Sequence, residues 1–422
     1  MGYRCANIEA GLRIGTDGKY YPCCLAWTYP YKNDEGKFLK ADTNTFQEAL
    51  NSKSATDLKE ALASGDKHTA CKACWDAEEA GFESKRIRDT QRFDDHPEKS
   101  ELVFLEVNLG NTCNLACRIC GIHASTTWRK DYHKIFPELE SWEVNDRVKE
   151  YGKAFIDESL IWYQLDEHIS KVRILDLYGG EPMLMKKQWE LLKMCVDRGY
   201  SSKQFVHFNT NGTIFNTQYA DILKNFKEVR ISFSADGVGK GFNYTRHPGN
   251  WDDVQLNIKN WLEYTKGLKN FSYEVTYTTS TLNILHCNEM AEWILDHNFS
   301  TNTTGAHIIT LYVAFVFGPP HYYIKNIPFE AKQQIIEKVK EKAEKLKEHR
   351  AFKYHSYVYD ECMKIAQTLE TSEECDQEQF NKFWFDNDRL DRWRKENFQS
   401  VFPDLFSILS KYKPLFNYQK IV

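Results

Sequence analysis

From Glu101 to about Lys325, apolar runs suited to strands alternate with stretches whose apolar residues recur every three and four positions. The strand-like runs are Leu102 to Leu109, Val172 to Leu177, Gln204 to Phe208, Val229 to Phe233, Tyr273 to Thr278 and Ile308 to Phe315. Helical spacing covers Lys186 to Asp197, Asp221 to Phe226, Asp252 to Tyr264 and Glu289 to His297, and a longer helical excursion is expected over Phe136 to Ser170. This alternation builds βα units and predicts an α/β fold with a partial (β/α)6 TIM-like barrel. After Pro328 comes a long charged helix, Phe329 to Arg350, whose charges read as a solvated face. In the tail beyond it, Phe380 to Phe406, with Trp384, Trp393, Phe398 and Phe402, is expected to dock onto the barrel. Three parts follow: a cysteine-rich segment over 1–100, the barrel over 101–325 and a helical C-terminal extension over 326–422.

Polar or glycine-rich turns follow four successive strands. Cys113-Asn-Leu-Ala-Cys117-Arg-Ile-Cys120 follows the first, Gly179-Gly180-Glu181-Pro182 the second, Asn209-Thr-Asn211-Gly212 the third and Ser234-Ala-Asp236-Gly237 the fourth. The C-terminal ends of parallel strands are where a βα barrel assembles its site from loops. Taken singly, Asn-Gly and Ser-Ala-Asp-Gly are ordinary turn formers whose side chains cap nearby backbone, so position is what raises them.

The cysteine loop is the sharpest chemical signal. Three thiols within eight residues can wrap one metal cluster, and three protein ligands leave a fourth position open for something else. Cys-x3-Cys-x2-Cys resembles the signature loop of the radical S-adenosylmethionine (SAM) superfamily, although Ile119 stands where the family often has an aromatic residue. That resemblance implies a 4Fe-4S cluster held by Cys113, Cys117 and Cys120, with SAM chelating the free iron. Gly179, Gly180, Glu181 and Pro182 are similar to the element that binds the SAM amino group; Tyr178 ahead of them carries no assigned role. The order of motifs, with Asn243-Tyr-Thr-Arg246-His-Pro-Gly before the Trp251 helix, is similar to the family's peptide-modifying branch. It implies Ser234 and Arg246 at the SAM carboxylate, and Asn211 or Asp236 at its ribose or methionine part.

A second constellation precedes the barrel: Cys5, then a hairpin-like run from Ile14 to Cys24 around Asp17-Gly18 with Cys23 and Cys24 on its far strand, then Cys71-Lys-Ala-Cys74. A Cys-x2-Cys pair alone suits zinc or redox exchange as well. The stretch is similar to the SPASM or twitch domains that hold auxiliary clusters, which normally follow the barrel. The likeness implies an auxiliary iron-sulfur cluster on Cys5, Cys23, Cys71 and Cys74, closed by protein and suited to electron transfer. Cys24 could take the place of Cys23.

The chain has 422 residues, 42% of them hydrophobic and 14% aromatic, enough for a large core. A formal net charge of −5 offers no broad basic face and speaks against nucleic acid as the main partner. No apolar run reaches the roughly 18 to 20 residues of a membrane span, and Met1 to Ala10 lacks the apolar core of a signal peptide, so a cytoplasmic protein is expected. Twelve cysteines in such a chain read as metal ligands and buried thiols rather than disulfides. Cys195, Cys287, Cys362 and Cys375, outside both clusters, are expected to be packing residues.

His68, His123, His207, His286, His307 and His321 show no metal-ligand spacing, and each reads by default as hydrogen-bonded or surface. Tyr277, His307 and Tyr312 lie near strand ends as possible acids or bases, and equally as core. The family likeness implies SAM-derived radical chemistry on a peptide or protein side chain, with a small metabolite next and an external flavodoxin or ferredoxin as electron donor. The competing readings are a small-molecule oxidoreductase or mutase, a radical enzyme on RNA, and a non-catalytic iron-sulfur or zinc scaffold; the last leaves the four strand-end motifs unexplained.

Overall fold

The computed structural model describes residues 2–79, 81–94, 102–136, 159–301, 307–372 and 375–414. One eight-stranded sheet organises the chain, with strands β1 Gly11–Ile14, β2 Tyr20–Tyr21, β3 Phe104–Asn108, β4 Ile174–Tyr178, β5 Phe205–Thr210, β6 Glu228–Ser234, β7 Phe271–Thr279 and β8 Ile309–Phe315 in the order β2-β1-β3-β4-β5-β6-β7-β8. From β1 through β8 every neighbour is parallel, and only β2 runs antiparallel. The six strands read from sequence are thus present, each end within two residues of its expected place. The N-terminal hairpin adds two more, because Gly11 to Ile14 pair in parallel with Phe104 to Val107. Cys23 and Cys24 lie just past this hairpin's far strand rather than on it, Cys24 opening a 3-10 turn to Ala26.

Side-chain parity explains the shape. On one face stand Leu105, Val107, Leu175, Leu177, Val206, Phe208, Val229, Ile231, Phe233, Val275, Tyr277, Leu311 and Val313, all buried in the main apolar core. They pack against helices that include Lys186–Asp197, Trp251–Tyr264 and Cys287–Thr301. On the other face the register aligns Arg13, Glu106, Asp176, His207 and Arg230 across five adjacent strands. Residues of that face on β1, β2 and β4 to β8 line a single cavity, so the sheet curves around it as a partial barrel.

The Lys186 to Asp197 helix has its expected bounds. The next begins earlier, at Thr217 rather than Asp221, because the Asn216 side chain caps it by accepting from the Gln218 and Tyr219 amides. Of the excursion expected over Phe136 to Ser170, Leu160–His168 is a helix, while 137–158 lie outside the described residues. The charged helix runs Phe329–Lys345, and the tail forms helices Gln377–Arg394, Phe398–Val401 and Pro403–Leu409. Trp384, Phe398 and Phe402 join the same core as the sheet, whereas Trp393 is 42% exposed. Among the described residues no helix is long and apolar enough to cross a membrane.

Candidate active site

The cysteine loop leaves β3 through Gly110, whose φ of 128° suits glycine. Its backbone is pinned from both sides: Ala116 and Arg118 amides donate to the His247 and Thr245 carbonyls at 2.6 and 2.9 Å, and the Trp128 indole and Thr127 hydroxyl donate to the Cys117 and Cys113 carbonyls. The Arg118 side chain is fully buried and reaches the C-terminal helix. It donates to Tyr244 O at 3.1 Å, Asn387 Oδ1 at 2.6 Å, Asp391 Oδ1 at 2.5 Å and Glu396 Oε2 at 2.6 Å. Arg394 adds a bond to the Ala116 carbonyl at 2.8 Å.

The other strand-end motifs close on this loop. The Gly180 and Glu181 amides donate to the carbonyls of Gly110 and Thr112 at 3.1 and 2.7 Å. A Cβ on Gly180 would stand 2.2 Å from the Thr112 oxygen, and one on Gly179 2.7 Å from the Gly110 oxygen, so this approach requires both glycines. Pro182 and Glu181 are buried behind them. The Glu181 carboxylate accepts from Thr210 Oγ1 and the Asn211 amide, both at 2.7 Å, and from the Met183 amide at 3.0 Å, which fastens the β4 turn to the β5 turn.

Asn211 in turn reaches the cysteine loop, its Nδ2 lying 2.9 Å from Asn114 Oδ1 and 3.8 Å from Cys113 Sγ. Asp236 is paired with Arg246 at 2.8 Å and also accepts from the Thr278 amide. Arg246 neighbours Cys117 and Cys120, where its charge favours thiolates. At the end of β6 the Ser234 hydroxyl makes no hydrogen bond among the described residues. The first three motifs are therefore bonded directly to one another, and Asp236 of the fourth is tied to the cysteine loop through Arg246, whose neighbours Thr245 and His247 accept from the Arg118 and Ala116 amides.

Its chemistry suits a metal cluster. Burial pushes the Cys120 thiol up to about 11, and pushes Cys113 and Cys117 up as well. Thiolates buried this way need the positive charge of bound metal. The same holds at the N-terminus, where burial takes Cys5 up to about 12 and Cys71 to about 11. Cys5, Cys23 and Cys71 border one apolar cluster with Ile8, Leu58, Leu62 and Trp75, and Cys74 stands close enough to raise both Cys5 and Cys71. Cys24 turns the other way, into the cavity of the barrel. Among the described residues no three His, Cys, Asp or Glu side chains converge as a single metal ion requires. A four-iron cluster is held at separate corners, so its ligands stand farther apart than those of one ion.

That cavity holds about 1360 Å³ and runs from Cys120 at the loop end to Arg92 and Arg230 at the opposite end. Its wall was not foreseen from sequence. Helix Lys85–Asp94 turns a polar face inward at the spacing Lys85, Arg88, Asp89 and Arg92. Lys85 pairs with Asp89 at 2.7 Å and Glu106 at 2.9 Å, and approaches Asp176 at 3.8 Å. His207, expected to be hydrogen-bonded or at the surface, is hydrogen-bonded: it lies 3.2 Å from Asp176 Oδ1 by Nδ1 and 3.0 Å from Ser232 Oγ by Nε2, and Ser232 donates to Glu274. Burial alone would raise the Asp176 carboxyl, but the His207 bond and the Lys85 charge hold it down at about 2.

Tyr312 also lines the chamber, whereas Tyr277 is core, donating to the Asn283 carbonyl, and His307 bonds the Thr265 carbonyl. Of the scattered cysteines, Cys195, Cys287 and Cys362 are buried as expected, but Cys375 is exposed and bonds the Asn326 carbonyl instead of packing.

Two family models match the chain, the radical SAM superfamily over 107–281 and the iron-sulfur cluster-binding SPASM domain over 5–75. Residues 107–281 are a radical SAM superfamily domain. The SPASM domain lies ahead of it. The radical SAM domain implies a 4Fe-4S cluster with SAM, and the SPASM domain implies auxiliary iron-sulfur ligation.

Among solved structures the chain is similar to native anSMEcpe with bound AdoMet, at 16% identity over 56% of this chain and 57% of that one, with a TM-score of 0.35. It is similar to Streptococcus suis SuiB bound to S-adenosylmethionine, at 15% identity over 66% and 60%, with a TM-score of 0.33. A third is the radical SAM methyltransferase TsrM from Kitasatospora setae, at 11% over 54% and 38%, with a TM-score of 0.32. The chain thus spans 57% and 60% of the length of the anSMEcpe and SuiB chains. No curated protein matches it.

Proposed function

We propose that this protein is a radical SAM enzyme that modifies a side chain of a peptide or protein threaded into the barrel chamber. In this reading Cys113, Cys117 and Cys120 hold the SAM-binding cluster. The Gly179-Gly180 main chain receives the SAM amino group, with Glu181 and Pro182 setting that turn. Ser234 and Arg246 take the carboxylate, and Asn211 and Asp236 orient the rest. Cys5, Cys23, Cys71 and Cys74 hold the auxiliary cluster. When bound, these groups supply reductive cleavage of SAM to methionine and a 5'-deoxyadenosyl radical, hydrogen abstraction from the substrate, and a route for the remaining electron.

The chain's own part is to position and shield. Main-chain bonds among the three loops fix the cysteines, and the tail helix covers the loop through Arg118 and Arg394. The observation that carries the peptide reading is chamber size: about 1360 Å³, beyond the roughly 300–1,000 Å³ of small-molecule sites. A flavodoxin or ferredoxin is the electron donor in this reading. Anaerobic reconstitution followed by assay of 5'-deoxyadenosine tests it. Reductive SAM cleavage is expected with wild type and none with Cys117→Ala, and an iron-loaded wild type that leaves SAM intact would refute it.

A further inference from the structure

The charges on the chamber wall are unevenly matched. Lys85 is surrounded by Asp89, Glu106 and Asp176, and Arg88 faces Asp89 at 3.6 Å. Arg92 and Arg230 differ. Among the described residues neither guanidinium makes a hydrogen bond or an ion pair, yet both side chains line the cavity at the end remote from the cysteine loop. They share one surface: the Arg92 guanidinium carbon lies 4.1 Å from the Phe205 ring centroid and that of Arg230 5.8 Å from the same centroid. Burial, with Arg230 adding to it, lowers Arg92 from its ordinary value, and Asp176, Asp89 and Glu228 oppose this from a distance.

Stacking on an aromatic ring offsets little of the cost of holding two like charges together. Two adjacent guanidiniums whose donors point into a chamber match the planar fork that binds carboxylate or phosphate. We infer that Arg92 and Arg230 form an oxyanion subsite that anchors an acidic group of the substrate, a carboxylate or a phosphate, at the floor of the barrel. The inference rests on the chamber being the substrate site.

Geometry adds a length requirement. Arg230 lies four residues before Ser234 on β6, about 13 Å at roughly 3.3 Å per residue. A substrate anchored at the floor and reacting near the cysteine loop must span about that distance. An extended peptide of about four residues does so, with its acidic side chain, phosphorylated side chain or C-terminal carboxylate at the floor.

The test uses the anaerobically reconstituted holoenzyme, inorganic phosphate and acetate as separate probes, and line broadening of their ³¹P and ¹³C signals. Wild type is expected to bind at least one probe saturably. Arg92→Gln and Arg230→Gln should weaken it at least about tenfold, Arg230→Lys less, and Lys259→Gln, on the exposed side of a distant helix, not at all. Preference for phosphate identifies a phosphorylated substrate, and equal or better binding of acetate identifies a carboxylate. Release of 5'-deoxyadenosine by the same preparations reports folding and the reading above independently. Preparations that cleave SAM but bind neither probe, or whose Gln variants bind like wild type, overturn the subsite alone. Probe binding lost in the Gln variants, without SAM cleavage in wild type, supports the subsite and overturns the radical reading.

Discussion

Arg118 stands between two of the three loop cysteines, and replacing it with Gln tests whether the C-terminal helix is part of the cluster site. The side chain is fully buried, stacks 3.7 Å over the Tyr244 ring and donates to Tyr244, Asn387, Asp391 and Glu396. Removing one partner of a buried ion pair costs about 3–5 kcal/mol, because the partner is left uncompensated. Here both carboxylates keep donors: Asp391 retains the Tyr244 hydroxyl at 2.9 Å and the Phe398 amide at 2.8 Å, and Glu396 retains His247 at 2.7 Å. Each is also partly open to solvent, 15% and 19% by side chain. The lower end of the range therefore applies, about 3 kcal/mol.

Urea unfolding of the apo protein measures this loss, and iron per chain after reconstitution measures its consequence. Iron held by Cys113, Cys117 and Cys120 should fall while that held by the N-terminal cysteines stays. Arg118→Lys, which keeps the charge but loses the planar fork, should lie between. A loss below about 1 kcal/mol with unchanged iron would show that the tail merely covers the loop.

Four further outcomes follow from the same contacts. Gly180→Ala puts a methyl 2.2 Å from the Thr112 oxygen, so the β4 turn must withdraw from the cysteine loop, and equilibrium dialysis with SAM should show binding weakened at least about tenfold. Glu181→Ala removes the acceptor of three bonds and should lower stability by about 3 kcal/mol in urea unfolding. Cys23→Ser should remove auxiliary-cluster iron and Cys24→Ser should leave it, as iron analysis and electron paramagnetic resonance would read. His286 bonds Asp404 and Glu289; burial alone would lower it, and these bonds raise it instead. Its contribution is then complete below about pH 6.5 and lost as pH rises through the raised value. The melting-temperature gap between wild type and His286→Gln should be widest near pH 6 and narrow toward pH 9.

The strands were legible because their outward faces are continuous apolar surfaces, and the site loops because glycines and cysteines fall at strand ends. Contacts between distant segments were not. Nothing local in Gly11 to Ile14 says that it pairs with Phe104 to Val107, so the hairpin's place in the sheet stayed hidden. Cys23 and Cys24 are adjacent and chemically alike, and only the backbone turn after β2 sends one to the apolar cluster and the other to the chamber. His207 and Tyr312 carried a readable signal. Each falls between apolar neighbours, Val206 and Phe208 or Leu311 and Val313, and that parity places it opposite the core. Tyr277 shares the parity of Tyr273 and Val275 and belongs to the core.

The same parity exposes what the fold gives up for its site. A barrel interior is ordinarily filled by branched apolar side chains in layers, which supplies much of its stability. Here the inward row Arg13, Glu106, Asp176, His207 and Arg230 leaves a chamber and places charges where packing would be. Most of those charges are bonded, Arg13 to the Cys23 and Cys24 carbonyls and the others through the Lys85 cluster and the Asp176-His207-Ser232-Glu274 chain, and Arg230 is the exception. Stability must then come from outside, from the helices over the sheet's apolar face and from the tail locked onto the cysteine loop by Arg118. Filling the chamber should therefore stabilise the fold and silence it together. A Ser232→Leu variant, placing an apolar side chain inside, would show that joint effect only if the bonded chain through Ser232 contributed nothing; with the His207 and Glu274 bonds lost, it should lower stability as well as activity.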